Sequence, residues 1–412
     1  MDCRVKPGND KEHMALLSVA EALARVTQGL EPLKAEPVPL DLAAGRVLAE
    51  SLAARLTQPP FDASAMDGYA VRAADVASPP ARLRLIGLSV AGHGFDGKVG
   101  SGEAVRIFTG APVPKGADTI VIQEDAEEAA GVVVVREAAA GKHIRPRGQD
   151  FKQGEVLLAA GHRLGWRELM LAAAMNYPEV PVRRRPKVAL LSTGDEVVPP
   201  GSVLGPDQIV SSVAFGLAAL IQKHGGEAIS LGIAKDDVES LVTLARAGSA
   251  ADILVTIGGA SVGARDLVSS ALASEGLKLD FWKIAMRPGK PLLYGRLGAQ
   301  RVLGLPGNPV SALICAHVFL VPMLHRLLGL LEPAGPSPEA VLAEALEANG
   351  ARAHYMRAAS DWTADGERQV KPLPSQDSSL MASFARADCL IVRPPDAPSR
   401  AQGERVRIIP LD

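Results

Sequence analysis

Three apolar runs between Pro186 and Pro309 each end in a glycine-bearing polar turn, a pattern that constrains the fold more than any other feature of the chain. They read PKVALLSTGDE, ADILVTIGGASVG and RVLGLPGNP. Runs that are apolar at nearly every position belong to strands buried on both faces, the situation of a parallel sheet covered by helices. The stretches between them supply those helices; in DDVESLVTLARAG, Asp236 is expected to be the N-cap, with Glu239 at N3. Strands alternating with helices in this order predict a doubly wound parallel α/β domain over residues 185–332.

The flanking segments follow other rules. From Pro59 to Arg147 the short runs RLRLIGLSV, AVRIF, DTIVIQ and GVVVVRE are split by Gly and Pro, which predicts an inserted small β domain over 59–146. Ser18 and Glu21 form an S-x-x-E capping box before a run that stops near Gly29, so a short helix opens an N-terminal linker domain made of 14–58 and 147–184. Beyond the joint EPAGPSP, WTADGERQV and CLIVRP…RVRIIPL predict a C-terminal β barrel or sandwich over 333–412. Residues 1–13 are charged, lack an apolar signal core and are expected to be a disordered extension, with Met14 the initiator.

Composition removes whole classes of function. With 44 Lys and Arg against 46 Asp and Glu the net charge is −2, which argues against a general nucleic-acid binder or a polybasic membrane protein. The apolar run from Val310 to Leu331 is broken by His317, Pro322, His325 and Arg326, as befits a buried helix rather than a membrane span. Cys3, Cys315 and Cys389 are too far apart to make a zinc or redox motif, and a cytoplasmic location is expected.

In open parallel sheets, ligands bind beyond the carboxyl ends of the strands. Glycines there let backbone N–H groups approach a phosphate, and the helix that follows favours negative charge. The loops offer Thr193 and Gly194, then Gly258, Gly259, Ser261 and Gly263, then Pro306, Gly307, Asn308 and Pro309. WKIAMRPGKP adds Lys283, Arg287 and Lys290, a cationic wall for a dianion turned by Pro288 and Gly289. Asp195, Glu196 and Asp266 occupy the same loop ends, and carboxylates face phosphates through a divalent ion, for which Mg²⁺ is the natural choice. A rival reading uses residues 259–263 as a G-x-S-x-G nucleophile elbow, with Asp280 and His317 following in the order of a serine hydrolase. No HGGG-type oxyanion segment accompanies it, and His317 lies between Ala316 and Val318 in an apolar stretch.

The segments SAMDGYAV, FTGAPVP, RPRGQD, LSTGDE, GGASVG, RPGKP and LPGNPVSA stand in this order along the chain. As a set, from about Met14 onward, they resemble the MoeA-type molybdopterin molybdenumtransferases, the gephyrin E-domain-like family of molybdenum insertases. MogA-type adenylyltransferases are similar to the α/β unit alone. The resemblance implies a MogA-like α/β domain, an inserted β domain, a linker domain and a C-terminal β barrel. It also implies a homodimer with the active site between subunits. Its implied reaction inserts molybdenum from molybdate into adenylylated molybdopterin, with Mg²⁺-dependent release of AMP and an adenylyltransferase as upstream partner.

By the same resemblance Asp266 serves metal-assisted cleavage of the adenylate, Glu196 joins it as a metal ligand, and Asp236 is a further acidic position. Lys290 and Ser311 match the molybdate pocket, alongside Lys283 and Arg287, with Arg357 and Ser378 or Ser379 reaching in from the barrel. Asp67 of MDGYA, Thr109 of FTGAP and Asp150 of RGQD match the far side of the cleft, donated by the second subunit. Arg287 stands where the family carries lysine, and SQDSSLMASF aligns only loosely. Relatives that cluster receptors define an alternative, a non-catalytic molybdopterin-binding scaffold; retention of Asp266, Glu196 and Lys290 argues for the enzyme.

Overall fold

The computed structural model describes residues 16–259, 267–331 and 338–411. Cys3, Met14 and most of the EPAGPSP joint lie outside the described residues, as do Ser261, Gly263 and Asp266. The chain forms two compact units, one made of the residues up to Glu36 with those from Arg183 onward, the other of Pro37–Val182.

The first unit is built on a six-stranded sheet in the order Glu227–Ala234, Lys187–Thr193, Ile253–Ile257, Gln300–Leu305, Leu293–Leu297 and Lys278–Trp282. The first four strands are parallel, and an antiparallel pair finishes the other edge. All three apolar runs read from the sequence are adjacent central strands. Their alternate residues feed two cores: Val188, Leu190, Val255 and Leu303 face one side, Ala189, Leu191, Leu254 and Val302 the other. Helices Val213–Lys223 and Pro309–Cys315 cover the first face, and Val238–Ala247 with Leu267–Ser274 the second. The helical run Pro309–Leu328 is long and apolar enough to cross a membrane, but most of it is buried inside the protein, 72% of its most apolar 18-residue stretch.

Helix Val19–Thr27 begins at the expected capping box, with Ser18 Oγ accepting from the Glu21 N–H and Glu21 Oε2 accepting from the Ser18 N–H. Its Ala22 and Val26 are fully buried in the first core. Buried Arg301 closes the far end by donating to the carbonyls of Gln28 (3.2 Å) and Gly29 (2.9 Å), a cation placed against orphan carbonyls. The expected cap at Asp236 is corrected. Asp237 is the N-cap of Val238–Ala247, its Oδ1 accepting from the Ser240 N–H at 2.7 Å. Its extended backbone suits a cap, and Ser240 at N3 answers by accepting from the Lys235 N–H at 3.0 Å. Asp236 is thereby left outside the helix.

The end of this unit is a small closed barrel of strands Glu339–Leu342, Ala353–Trp362, Arg368–Pro372, Cys389–Arg393 and Arg405–Pro410. Closure comes from the long strand Ala353–Trp362, which pairs with Cys389–Arg393 at one end and Arg368–Pro372 at the other. Met286–Arg287 adds a parallel bridge to its first residues, tying the RPGKP segment to the barrel.

The second unit holds a six-stranded sheet ordered Thr119–Ile122, Gly68–Val71, Glu103–Ile107, Ala81–Ser89, Val132–Val135 and Ala126–Ala129. The four strands expected from the sequence are present. Gly68–Val71 and Ala126–Ala129 were not among them. Glycine is mandatory at Gly68, where a Cβ would sit 1.9 Å from the Val121 carbonyl oxygen. A separate core, including Leu48, Leu52, Phe151, Leu164 and Met175, joins residues on either side of this sheet in sequence.

Candidate active site

The loops at the carboxyl ends of the parallel strands line one cleft of about 1190 Å³ in the first unit. Thr193, Gly194 and Glu196 come from the first strand end, Gly258 and Gly259 from the second, and Pro306, Gly307, Asn308 and Pro309 from the third. Glycine lets these loops crowd together. A Cβ on Gly258 would lie 2.9 Å from Thr193 Oγ1, and one on Gly194 would lie 2.5 Å from the Glu196 carboxylate. Asp195 and Asp236 also line the cleft, and Asp195 Oδ1 accepts from the Asp236 N–H at 3.2 Å.

The cationic segment stands beside the cleft. Pro291 lines it, whereas Lys283, Arg287, Lys290 and Ser311 are not in its wall. Lys283 has a positive φ of 86° and lies over the Trp282 ring, 4.4 Å from its centroid. Arg287 pairs in register with His354 of the barrel. Gly289 sits against the helix Pro309–Cys315, where a Cβ would come 2.2 Å from Cys315 Sγ and 4.0 Å from the Ser311 carbonyl oxygen. Exposed Lys290 and buried Ser311 thus belong to touching segments.

From the barrel, Ser379 and Met381 line the cleft. Ser378 reaches the start of the helix Pro309–Cys315, its carbonyl accepting from the Val310 N–H and its Oγ from Asn308 Nδ2, both at 3.2 Å. Ser379 donates its N–H and its hydroxyl to Asp377 Oδ1, at 2.8 and 2.7 Å. Those bonds, with help from Arg357, hold the Asp377 carboxyl below the usual carboxylate range. Arg357 is 1% exposed and outside the cleft wall, its guanidinium donating to the Asp377 carbonyl (2.8 Å) and the Ser375 carbonyl (3.0 Å). Sequence reasoning missed Gln376, which binds both backbone groups of Arg357. It also missed the apolar rim of Ile209, Val210 and Met381.

Asp67, Thr109 and Asp150 belong to the second unit. Asp67 Oδ1 accepts from the N–H and the hydroxyl of Thr109, each at 2.8 Å, and these bonds hold its carboxyl below the usual range. Asp150 lines a cavity of about 540 Å³ with Phe61, Gly110, Arg145 and Gln149. The elements of the hydrolase reading have other partners. The Asp280 carboxylate pairs with Arg25 at 2.9 Å, and the His317 ring packs edge-on to His224, with a centroid distance of 6.1 Å.

Among the described residues the cleft is lined by three carboxylates, Asp195, Glu196 and Asp236, and by no His or Cys, a set that suits a hard ion such as Mg²⁺. Among the described residues no group of three His, Cys, Asp or Glu side chains is arranged to cage a metal. Mg²⁺ in phosphate sites is ordinarily held by one or two carboxylates plus the substrate's oxygens.

An α/β sheet with a glycine-lined cleft at its strand ends, followed by a closed barrel that reaches into that cleft, defines a multidomain α/β protein with a candidate ligand site, and the comparisons specify which kind. Residues 17–176 match the MoeA N-terminal region (domain I and II), 189–326 a probable molybdopterin binding domain, and 339–411 the MoeA C-terminal region (domain IV). A molybdopterin molybdenumtransferase of Haemophilus influenzae is 34% identical, covering 96% of this chain and 99% of that one. Another from a Nostoc species is 37% identical over 91% of this chain and 88% of its own length. A crystal structure of a molybdopterin biosynthesis MoeA protein from Pyrococcus horikosii is 34% identical, with a TM-score of 0.83, covering 97% of this chain and all of that one. The chain belongs to the MoeA-type molybdopterin molybdenumtransferase family.

Proposed function

We propose that the protein inserts molybdenum from molybdate into adenylylated molybdopterin, releasing AMP. The observation that carries this reading is the convergence of three glycine loops, carboxylates and barrel residues on one cleft. The Gly194, Gly258 and Gly307 loops carry no side chain there and let a pyrophosphate approach the backbone closely, and Pro309 opens a helix whose N-terminus favours negative charge. Lys290, Ser311 and Ser378 suit a tetrahedral oxyanion, which needs fixed charge and donors. Ser379 lines the cleft, but Ser378, at the start of the helix beside it, has the freer hydroxyl. The Ser379 proton is committed to Asp377, whereas Ser378 Oγ accepts from Asn308 and keeps its own proton for an oxyanion oxygen.

Glu196 and Asp266 would hold Mg²⁺, which when bound neutralises charge on the adenylate's phosphate oxygens. Asp236 and the nucleotide loops orient the phosphoanhydride; water adds to phosphorus as the bond to the pterin phosphate breaks, giving AMP. The protein works as a soluble cytoplasmic homodimer in which Asp67, Thr109 and Asp150 of a second subunit complete the site. An adenylyltransferase of MogA type supplies the activated pterin.

Pure protein given adenylylated molybdopterin, Mg²⁺ and molybdate is expected to release AMP and to yield cofactor that activates an apo-molybdoenzyme. Tight pterin binding with no AMP release would instead identify a scaffold. Lys290→Ala is expected to raise the molybdate concentration for half-maximal release about tenfold, the scale of one lost charge-assisted hydrogen bond, without changing pterin affinity. Titrations with molybdate and with the pterin separate the two effects.

A further inference from the structure

The barrel contributes Ser379 and Met381 to the cleft from the segment 375–381, which has little regular structure of its own. One side chain fastens its start. Gln376 Oε1 accepts from the backbone N–H of Arg357 at 2.9 Å, and Gln376 Nε2 donates to the carbonyls of Arg357 and Leu373, each at 3.0 Å. Arg357 lies within the barrel strand Ala353–Trp362, and the Leu373 N–H donates to its carbonyl at 2.9 Å. The Gln376 amide therefore acts as one more rung of the ladder, just past the point where the paired strand Arg368–Pro372 ends. The Arg357 guanidinium then takes up the Ser375 and Asp377 carbonyls on either side of Gln376.

We propose that Gln376 is a positioning residue for the oxyanion substrate, an inference that rests on the insertase reading above. It touches no reacting group and works through Arg357 and Ser378. With Gln376 and Arg357 holding residues 375–377, Ser378 is delivered to the N-terminus of the helix Pro309–Cys315. There its carbonyl takes the Val310 N–H, one of the donors a helix N-terminus leaves unsatisfied, and its hydroxyl meets Asn308. Asn308 and Pro309 also line the cleft, so the same bracket fixes the barrel serine and the nucleotide loop relative to each other. Buried Arg357 spends two donors on loop carbonyls, so its charge sits beneath the segment rather than in the cleft wall.

The test uses Gln376→Met, which keeps the volume and removes every bond of the side-chain amide, and Gln376→Glu, which keeps the acceptor for the Arg357 N–H. In Gln376→Met the molybdate concentration for half-maximal AMP release should rise about tenfold, with pterin affinity unchanged, and in Gln376→Glu it should rise less. Hydrogen exchange at the Val310 amide should accelerate in Gln376→Met, a readout that needs no turnover. Unchanged molybdate dependence in both variants would overturn the proposal, as would a parallel loss of pterin affinity, which marks general loosening. Should the unmodified protein release no AMP, the insertase reading fails on its own. The exchange rate then decides the structural claim, and native protection of Val310 in Gln376→Met refutes it.

Discussion

Replacing Gly289 by alanine is expected to destabilise the first unit by about 3 kcal/mol, through two additive causes. Its φ of +103° lies where L side chains are strained, and a Cβ would stand 2.2 Å from Cys315 Sγ. Cys315 cannot step aside, being fully buried in a helix of the main core. Relief has to come from the RPGKP turn, which carries Lys290 away from Ser311 and moves Pro291 in the cleft wall. Urea melts measure the stability, and molybdate titration measures the site. The double variant Gly289→Ala, Cys315→Ala should recover roughly half the loss, since it removes the overpacking and leaves the backbone strain. Full stability in the single variant, or no recovery in the double, would show that the contact is not the cause.

Acid should weaken the barrel through His354. Burial, together with the charges of Arg287, Arg352, Arg357 and Arg393, pulls its imidazole down to about 4. Its Nε2 is buried with no hydrogen-bond partner among the described residues, so the ring has nothing to gain from a second proton. In the unfolded chain the imidazole titrates at its ordinary value near 6.5. Between these values the unfolded state binds more protons, so stability rises with pH across the window and falls as pH drops through it. The contribution is about 2 kcal/mol after allowing for solvent screening of the arginines, present in full above pH 6.5 and gone near pH 4. Melts of the native protein and of His354→Gln between pH 5 and 6.5 should converge on acidification. Parallel curves would remove His354 as the cause. His317, also held down by burial, titrates in the same direction in both proteins and cancels in the difference.

What the sequence made legible follows from how local each signal is. The three central strands could be read because burial on both faces leaves unbroken apolar stretches at their centres, such as VALL, ILV and VLGL. The hairpin strand Ala126–Ala129 could not: AEEA has low β propensity and is held by its pairing with Val132–Val135. Thr193, Gly194, Gly258, Gly307 and Asn308 were found because loop chemistry is written in consecutive residues. Asp236 was misread as a cap because adjacent aspartates look alike until the backbone selects the extended one. Gln376 was invisible because its role depends on Arg357, brought beside it only by barrel closure.

Helix Val19–Thr27 shares one core with residues from 253 to 327, although the whole of Pro37–Val182 is made in between. During synthesis the second unit therefore has all its residues in hand before the first has a single strand of its sheet. Until the ribosome passes Leu327, Ala22 and Val26 have no lasting burial place, and the amino-terminal segment must wait, apolar face outward, for a partner yet to be translated. Burial of this helix is therefore delayed by chain order, and a chain released at Val182 would hold all the residues of the second unit beside an orphaned helix.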